Sequence, residues 1–529
     1  MGAGSLRYNT QEPGTAMTGP HLDRTDDGRI SGPAVIDPPP PAFPHRSCYV
    51  NFAEHLQNSW NPNIYYDGAP NMWSDSDWRS FFRMIAAFGF NVFEYWLVPT
   101  LMDVPALSGG AMYANFAERM RRITEIAHEN LLRVKMLVAV NTIGPQWYFA
   151  CPNDPADRQT IVKLWRHWLR QLPDTDIIGI FPGDPGGCNR NGCTHETFTA
   201  LALELSGLII AENPQATIEI GTWGTPFTGW GEDMISPRDW NGTFRQLTTQ
   251  KLPPDAWAHI WNGTPQRAEA AMEHFLRRLP EFPEKTLVAI NLGFSPDGDA
   301  VMGGDARPWA REIARIRPIT TWDYSLAEGE LVVYPHWRLP RMAARRREEK
   351  SAAPYSGGMT YTMSPKLNVL SLYAAGRLFQ DPSLDPDELS RSFCSSVFGP
   401  EHAALGELFE AFEIIPGWGH YPRRKWSRPA LRSAYQLMID LLETADASRC
   451  ALPLFPDPEA FRRDLLWFAR AFHEMAGENP DREGIRREYW SRAFAIYDHI
   501  PMSVDERAEH AARKFSLAIS QEARSGVTL

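Results

Sequence analysis

The 529-residue chain predicts an α/β fold, a (β/α)8 TIM barrel followed by an α-helical C-terminal domain. Three observations predict it. Short β-rich apolar runs alternate with amphipathic helical stretches from Arg46 onward, the pattern of a parallel sheet built from βα units. Eight such alternations fit in roughly 315 residues, and no other common architecture uses so many in one unit. After Pro354 the strand-like runs stop while helical periodicity continues. The expected division is a Pro-rich, disordered tail over 1–45, a barrel over 46–360 and a helical domain over 361–529.

The tail ends in Pro38-Pro39-Pro40-Pro41, which favours an extended polyproline conformation and cannot pack a core. Cys48–Phe52 is the first predicted strand and Asp77–Phe88 its helix, with Ser76 or Asp75 near the cap. Asn91–Pro99 and Tyr113–Asn130 follow, then Val134–Val140 with Asp157–Leu172, and Asp176–Phe181 with His195–Glu212. Ala216–Gly221 is the fifth strand, before a helix at Pro237–Gln250, and Ala256–Trp261 a weak sixth, before Gln266–Leu279. Leu287–Asn291 with Ala306–Arg315 and then Thr320–Tyr324 complete the series. Seven helical segments follow, from Asn368–Phe379 to Ser503–Ala518. The basic run Arg341–Lys350 reads as a solvated helix face, because Glu348 and Glu349 interrupt it.

Composition excludes whole classes. Apolar residues make up 43% and charged residues 22%, a balance that builds a sizeable core. The net charge of −11 argues against a general nucleic-acid binder, which needs a basic footprint to displace counterions. No run of 18 apolar residues occurs, and residues 1–47 lack the apolar centre of a signal peptide, so the expected setting is cytoplasmic, away from membranes. No phosphate-binding Gly-rich loop, dinucleotide fingerprint or H-E-x-x-H stretch is present, so no cofactor is expected in catalysis. A homo-oligomer is allowed. The excess is aromatic, with 19 Trp, 16 Tyr and 27 Phe, side chains that fill cores and also line sugar sites.

In a barrel the polar residues at strand C-termini carry the chemistry. Asp184 directly follows the fourth predicted strand in F-P-G-D-P-G-G-C-N-R-N-G-C-T-H, where Gly183, Pro185, Gly186 and Gly187 force a tight turn. It reads as a general acid or a ligand for a substrate hydroxyl; the plainer reading is a turn cap. Glycoside hydrolysis needs a second carboxylate, about 5–5.5 Å away for retention and about 6.5–9.5 Å for inversion. Asp323, between Trp322 and Tyr324 at the end of the eighth predicted strand, and Glu94 in the second are the candidates. Glu219 in the fifth reads as a buried structural carboxylate. Asn51, His55, Trp96, Asn141, Trp147, Trp223, Trp261, Asn262, Asn291, Trp322 and Tyr324 supply what a sugar subsite uses, hydroxyl hydrogen bonds and flat apolar faces. Arg338 and Arg341 suit either a uronate carboxylate or a solvated turn.

Cys188, Cys193 and His195 lie within eight residues, and Cys151 is on the preceding βα connection. Three Cys and one His is a structural zinc set, although C-x4-C-x-H is not a finger spacing. Reduced buried thiols and a Cys188–Cys193 disulfide are the alternatives.

The run Tyr355-Ser356-Gly357-Gly358-Met359, then Asn368-Val369-Leu370-Ser371-Leu372-Tyr373-Ala374-Ala375-Gly376-Arg377-Leu378 and Asp381-Pro382-Ser383-Leu384-Asp385, resembles the bacterial α-glucuronidase and β-N-acetylhexosaminidase-like glycoside hydrolases at superfamily level. That resemblance implies a barrel glycosidase with its acid at the end of the fourth strand, where this chain has Asp184. Hexosaminidases of the group carry an Asp-Glu pair there, whereas Asp184 is followed by Pro185. The expected activity is hydrolysis of an oligosaccharide or small glycoside, one containing uronic acid included. The rivals are a non-hydrolytic carbohydrate-binding barrel and a metal-dependent lyase or isomerase acting on a sugar acid.

Overall fold

The computed structural model describes residues 40–50, 73–97, 116–144, 148–182, 191–222, 265–291, 307–323, 335–352, 354–362, 365–412, 426–481 and positions 484, 485 and 488. Eight parallel strands close into a barrel. They are β1 (His45–Val50), β2 (Val92–Leu97), β3 (Arg133–Ala139), β6 (Ile177–Phe181), β7 (Thr217–Gly221), β8 (Thr286–Asn291), β9 (Ile319–Asp323) and β10 (Tyr355–Thr362). Around the barrel they follow the order β1-β10-β9-β8-β7-β6-β3-β2, so each new strand is laid beside its predecessor until β10 meets β1. A two-stranded antiparallel ribbon, β4 (Thr142–Gly144) and β5 (Tyr148–Phe149), lies outside that ring.

Local chemistry sets the helix ends. Helix α1 (Asp75–Phe88) starts at a capping box, in which Ser74 accepts from the Asp77 amide and Asp77 accepts from the Ser74 amide. It stops at Gly89, whose φ of 110° is left-handed. Its apolar stripe of Trp78, Phe81, Phe82 and Ile85 is buried, and Trp78 and Phe82 lie 5.5 and 5.0 Å from the Phe93 ring of β2. Asp154 caps α3 (Pro155–Gln171) and Thr194 caps α4 (His195–Glu212). Between β2 and β3 runs α2 (Phe116–Glu129), packed against α1 and β3, and later connections carry α5 (Pro265–Arg278), α6 (Ala310–Ala314), α7 (Leu339–Ala352) and α8 (Val369–Gln380).

The barrel was expected, but two of its strands are counted differently. β7 pairs directly with β8, leaving no place between them for a strand at Ala256–Trp261, a segment outside the described residues. Thr320–Asp323 is therefore in the seventh barrel strand, and the eighth is β10, where the sequence shows only Y-S-G-G-M-T-Y-T. The two glycines serve closure. Gly357 has φ of 123°, and a Cβ there would lie 1.8 Å from the His45 carbonyl oxygen of β1; one at Gly358 would lie 2.6 Å from that of Thr321 in β9. The βα series thus runs to Gln380, and the helical region begins with α9 (Pro386–Phe398), followed by α10 (Leu405–Leu408), α11 (Arg428–Thr444) and α12 (Pro458–Met475).

The described residues of these helices belong to the same compact unit as the barrel. Trp337 Nε1 donates to Ser390 of α9 at 2.9 Å, and Phe455 packs 4.7 Å from Trp73 just before α1. Among the described residues no helix is long and apolar enough to cross a membrane.

Candidate functional site

Contacts between strands that are not neighbours reveal which side chains point into the barrel. Phe181 at the end of β6 lies 4.5 Å from Trp322 of β9, three strands away, and 5.8 Å from Trp96 of β2. Trp322 in turn lies 6.4 Å from Tyr49 of β1, which lies 4.9 Å from Tyr361 of β10. Five rings therefore form one connected aromatic layer across the interior, each in the last two residues of its strand. Their edge-to-face and tilted packing is the favoured geometry for aromatic pairs. This layer floors the C-terminal face, the face on which barrel enzymes do their chemistry.

One layer deeper the interior is charged. Lys135 of β3 reaches Glu94 of β2 at 3.0 Å and makes a closer ion pair with Glu219 of β7, two strands away. Ser47 of β1 donates to Glu94 at 2.6 Å, and Thr320 of β9 donates to Glu219 at 3.0 Å. All five side chains are buried. Burial pushes the Glu94 carboxyl above the usual carboxylate range; Lys135 pulls it back and Glu219 adds to the rise. Burial also works against the Lys135 ammonium, but Glu219 and Glu94 outweigh it and hold its pKa above the ordinary lysine value. Glu94 precedes Trp96 by two residues on the same strand face, so it lies roughly 6–7 Å beneath the aromatic layer. It points inward as a catalytic role needs, but its partners are Lys135 and Ser47 below that floor.

Asp323 was expected beside the substrate, and the structure places it elsewhere. Trp322 points inward, so its neighbour Asp323 faces out toward α7, where Arg346 forms a close ion pair with it. The same guanidinium donates to Glu349 at 2.5 Å and lies 4.1 Å above the Phe379 ring. Asp323 is 1% exposed and Arg346 1% exposed. This corrects the reading of Arg341–Lys350 as a solvated face, because Arg345, Arg346 and Glu349 within it are buried between strand and helix. Burial pushes the Glu349 carboxyl up to about 7, against the pull of Arg346 and with a further push from Asp323. Arg338 is also buried, with a guanidinium nitrogen 3.1 Å from His336 Nδ1.

Of the proposed sugar contacts, Trp96 and Trp322 belong to the aromatic layer. Asn141 is buried just past β3; its Nδ2 donates to the Ala150 carbonyl at 3.0 Å, and its Oδ1 has no hydrogen-bond partner among the described residues. Asn291 is the last residue of β8. Asn51, His55, Trp147, Asp184, Trp223, Trp261, Asn262 and Tyr324 lie outside the described residues, as does Cys188. The other three members of the expected zinc set are not gathered together. Cys151 and Cys193 approach to 3.5 Å between sulfurs, but the His195 ring lies 5.6 Å from that of His274. Among the described residues no three His, Cys, Asp or Glu side chains are grouped to hold a metal ion.

Sequence reasoning missed Lys135, Tyr49, Phe181 and Tyr361. Lys135 had a signal, a lone cation inside the apolar run V-K-M-L-V-A-V, with single acids at matching depth in V-F-E-Y-W-L and T-I-E-I-G. Charges in strands buried on both faces imply one another.

No family model matches the chain, and no curated protein matches it in sequence. Solved structures match it in fold. A GH138 enzyme targeting pectin rhamnogalacturonan II superposes with a TM-score of 0.50 at 9% identity, covering 92% of this chain and 77% of that one. CpGH84B gives 0.46 at 10% identity, over 91% of this chain and 75% of the other. An O-GlcNAc hydrolase of Thermobaculum terrenum gives 0.45 at 11% identity, over 91% and 96%. At 9% identity the likeness to the GH138 enzyme is one of fold alone.

Proposed function

We propose that the protein is a glycoside hydrolase whose substrate sits on the aromatic layer at the C-terminal face of the barrel. The observation that carries the reading is that layer itself. Trp96, Phe181, Trp322, Tyr49 and Tyr361 make a connected layer of steeply inclined rings at the strand ends, and aromatic side chains at a barrel mouth are what a pyranose ring packs on. Asn141 Oδ1 is a buried acceptor at the same end, suited to a sugar hydroxyl. Asp184 follows Pro182, the last described residue after β6, by two positions in sequence, and we assign it the general acid role. Of the two candidates for the second carboxylate that hydrolysis needs, Asp323 acts structurally against Arg346, which leaves Glu94 as base or nucleophile. Small imported glycosides, including uronic-acid-containing ones, are the proposed substrates.

A second reading is favoured by one specific observation. Both carboxylates described from the expected catalytic set are engaged by cations, Glu94 by Lys135 and Asp323 by Arg346, as suits a carbohydrate-binding barrel without turnover. The test incubates the native chain and Asp184→Asn with a panel of neutral and uronic-acid oligosaccharides and follows product masses. Hydrolysis by the native chain alone, with sugar binding retained in the variant, supports the hydrolase with Asp184 as its acid. Binding without turnover in both proteins overturns it in favour of the binding barrel. Equal turnover by both removes Asp184 from the mechanism.

A further inference from the structure

The thiols of Cys151 and Cys193 are buried and 3.5 Å apart, and they come from successive βα connections, the one between β3 and α3 and the one between β6 and α4. The two connections are braced around them. Asn153 Nδ2 donates to the Asn191 carbonyl at 2.9 Å, and Asn191 Nδ2 reaches Cys151 Sγ at 3.4 Å. The Cys151 amide donates to Asp157 in the first turn of α3 at 2.7 Å. On the other side Asn191 and Gly192 are both left-handed, with φ of 51° and 66°, and this turn delivers Cys193 immediately before the Thr194 cap of α4. Two side chains held by frames that are hydrogen-bonded to each other meet at van der Waals contact. Closing to a bond of about 2.05 Å needs roughly 1.5 Å of sulfur movement, within reach of small χ1 rotations.

We infer that Cys151 and Cys193 form an oxidisable dithiol that hydrogen peroxide closes to an intrachain disulfide, locking the β3–α3 and β6–α4 connections together. One thiol reduces peroxide to water and becomes a sulfenic acid, and the second sulfur displaces its oxygen as a second water. Overall two thiols lose two protons and two electrons to one peroxide, giving one disulfide and two waters. Peroxide suits this pair because both sulfurs are buried, and a molecule scarcely larger than water needs far smaller openings than a bulky disulfide reagent. The new ring encloses α3 and β6, a long loop whose closure restricts the unfolded chain. The modification stands whether or not the protein hydrolyses sugars, because its readout is the covalent link itself.

The experiment treats the full native chain with hydrogen peroxide, alkylates it in denaturant, and maps non-reduced peptides by mass. A peptide pair joined through Cys151 and Cys193, two hydrogens lighter than the sum of its parts and reversed by dithiothreitol, is expected. The oxidised chain should also melt several degrees higher than the reduced one. Cys188→Ser should keep the link, whereas Cys151→Ser and Cys193→Ser should each abolish it. A link joining Cys188 to Cys193, separate sulfinic acids at the two positions, or thiols that remain fully alkylatable overturns the inference. So does a linked chain that melts lower, because such a link would strain the frame instead of fitting it.

Discussion

Replacing Lys135 with Met tests the charged layer under the aromatic floor. Glu94 is 0% exposed, Glu219 3% and Lys135 5%, so no solvent takes over when the cation is removed. The variant keeps the length and bulk of the side chain but leaves two carboxylates facing one another inside the barrel. Removing one partner of a buried ion pair costs about 3–5 kcal/mol, because the charge left behind is uncompensated. With a urea m-value near 3 kcal/mol/M or above for a unit of this size, the midpoint should fall by about 1 M. The carboxylates can escape by taking up protons, so their folded pKa rises above the unfolded value. Stability of the variant should then be present at acid pH and lost as pH rises through that raised pKa, making the deficit smaller at pH 5 than at pH 8. Lys135→Met combined with Glu94→Gln and Glu219→Gln removes the stranded charges and should recover most of the loss. Urea unfolding followed by tryptophan fluorescence at both pH values decides the matter. A single variant within 0.2 M of the native midpoint, or a triple variant no better than the single one, refutes the reasoning.

Two further predictions follow from the strand–helix layer. Asp323→Asn leaves Arg346 with only Glu349 as an anionic partner among the described residues, so it should destabilise the protein by about 3 kcal/mol in chemical denaturation while leaving the turnover of folded protein within twofold of native; a thousandfold loss of turnover at unchanged stability would return Asp323 to the catalytic set. Glu349, raised to about 7, binds its proton more tightly folded than unfolded. Its contribution is therefore present below about pH 4.5 and lost as pH rises through 7, by at most about 3 kcal/mol. In Glu349→Gln the melting temperature should fall less between pH 5 and pH 8 than in the native chain, and parallel pH profiles for the two proteins would contradict this assignment.

Much of the fold was legible before any coordinates. The helix expected at His195–Glu212 is found with those bounds as α4, whereas α1 and α3 each begin two residues before the expected Asp77 and Asp157, capped by Ser74 and Asp154, because several neighbouring Ser and Asp side chains compete for the same free amides and only the folded backbone selects one. The runs of β2, β3, β6 and β7 were legible because parallel strands buried on both faces are mainly apolar, even with Glu94, Lys135 and Glu219 set within three of them. Where the barrel closes was not legible. β10 carries two glycines and several hydroxyls, a poor strand by propensity, and it is a strand because β1 and β9 present open edges on either side of it. The glycines that weaken it locally are what let those neighbours approach.

The same division holds at the site. Residue type and strand-end position placed Trp96 and Trp322 among the candidates, and the strand pattern placed Glu94 and Glu219 within strands. It could not determine what those charges face. Asp323 and Trp322 are adjacent, and strand alternation sends one outward to Arg346 and the other inward to Phe181. Glu94 and Trp96 share a face, but only the barrel's depth separates them into a charged layer and an aromatic one. Partners such as Lys135 and Glu219 are 84 residues apart in the chain and two strands apart in space. Hydrogen-bonded caps and hydrophobic periods are short-range and belong to the sequence, whereas the layers of a barrel interior exist only once all eight strands have closed.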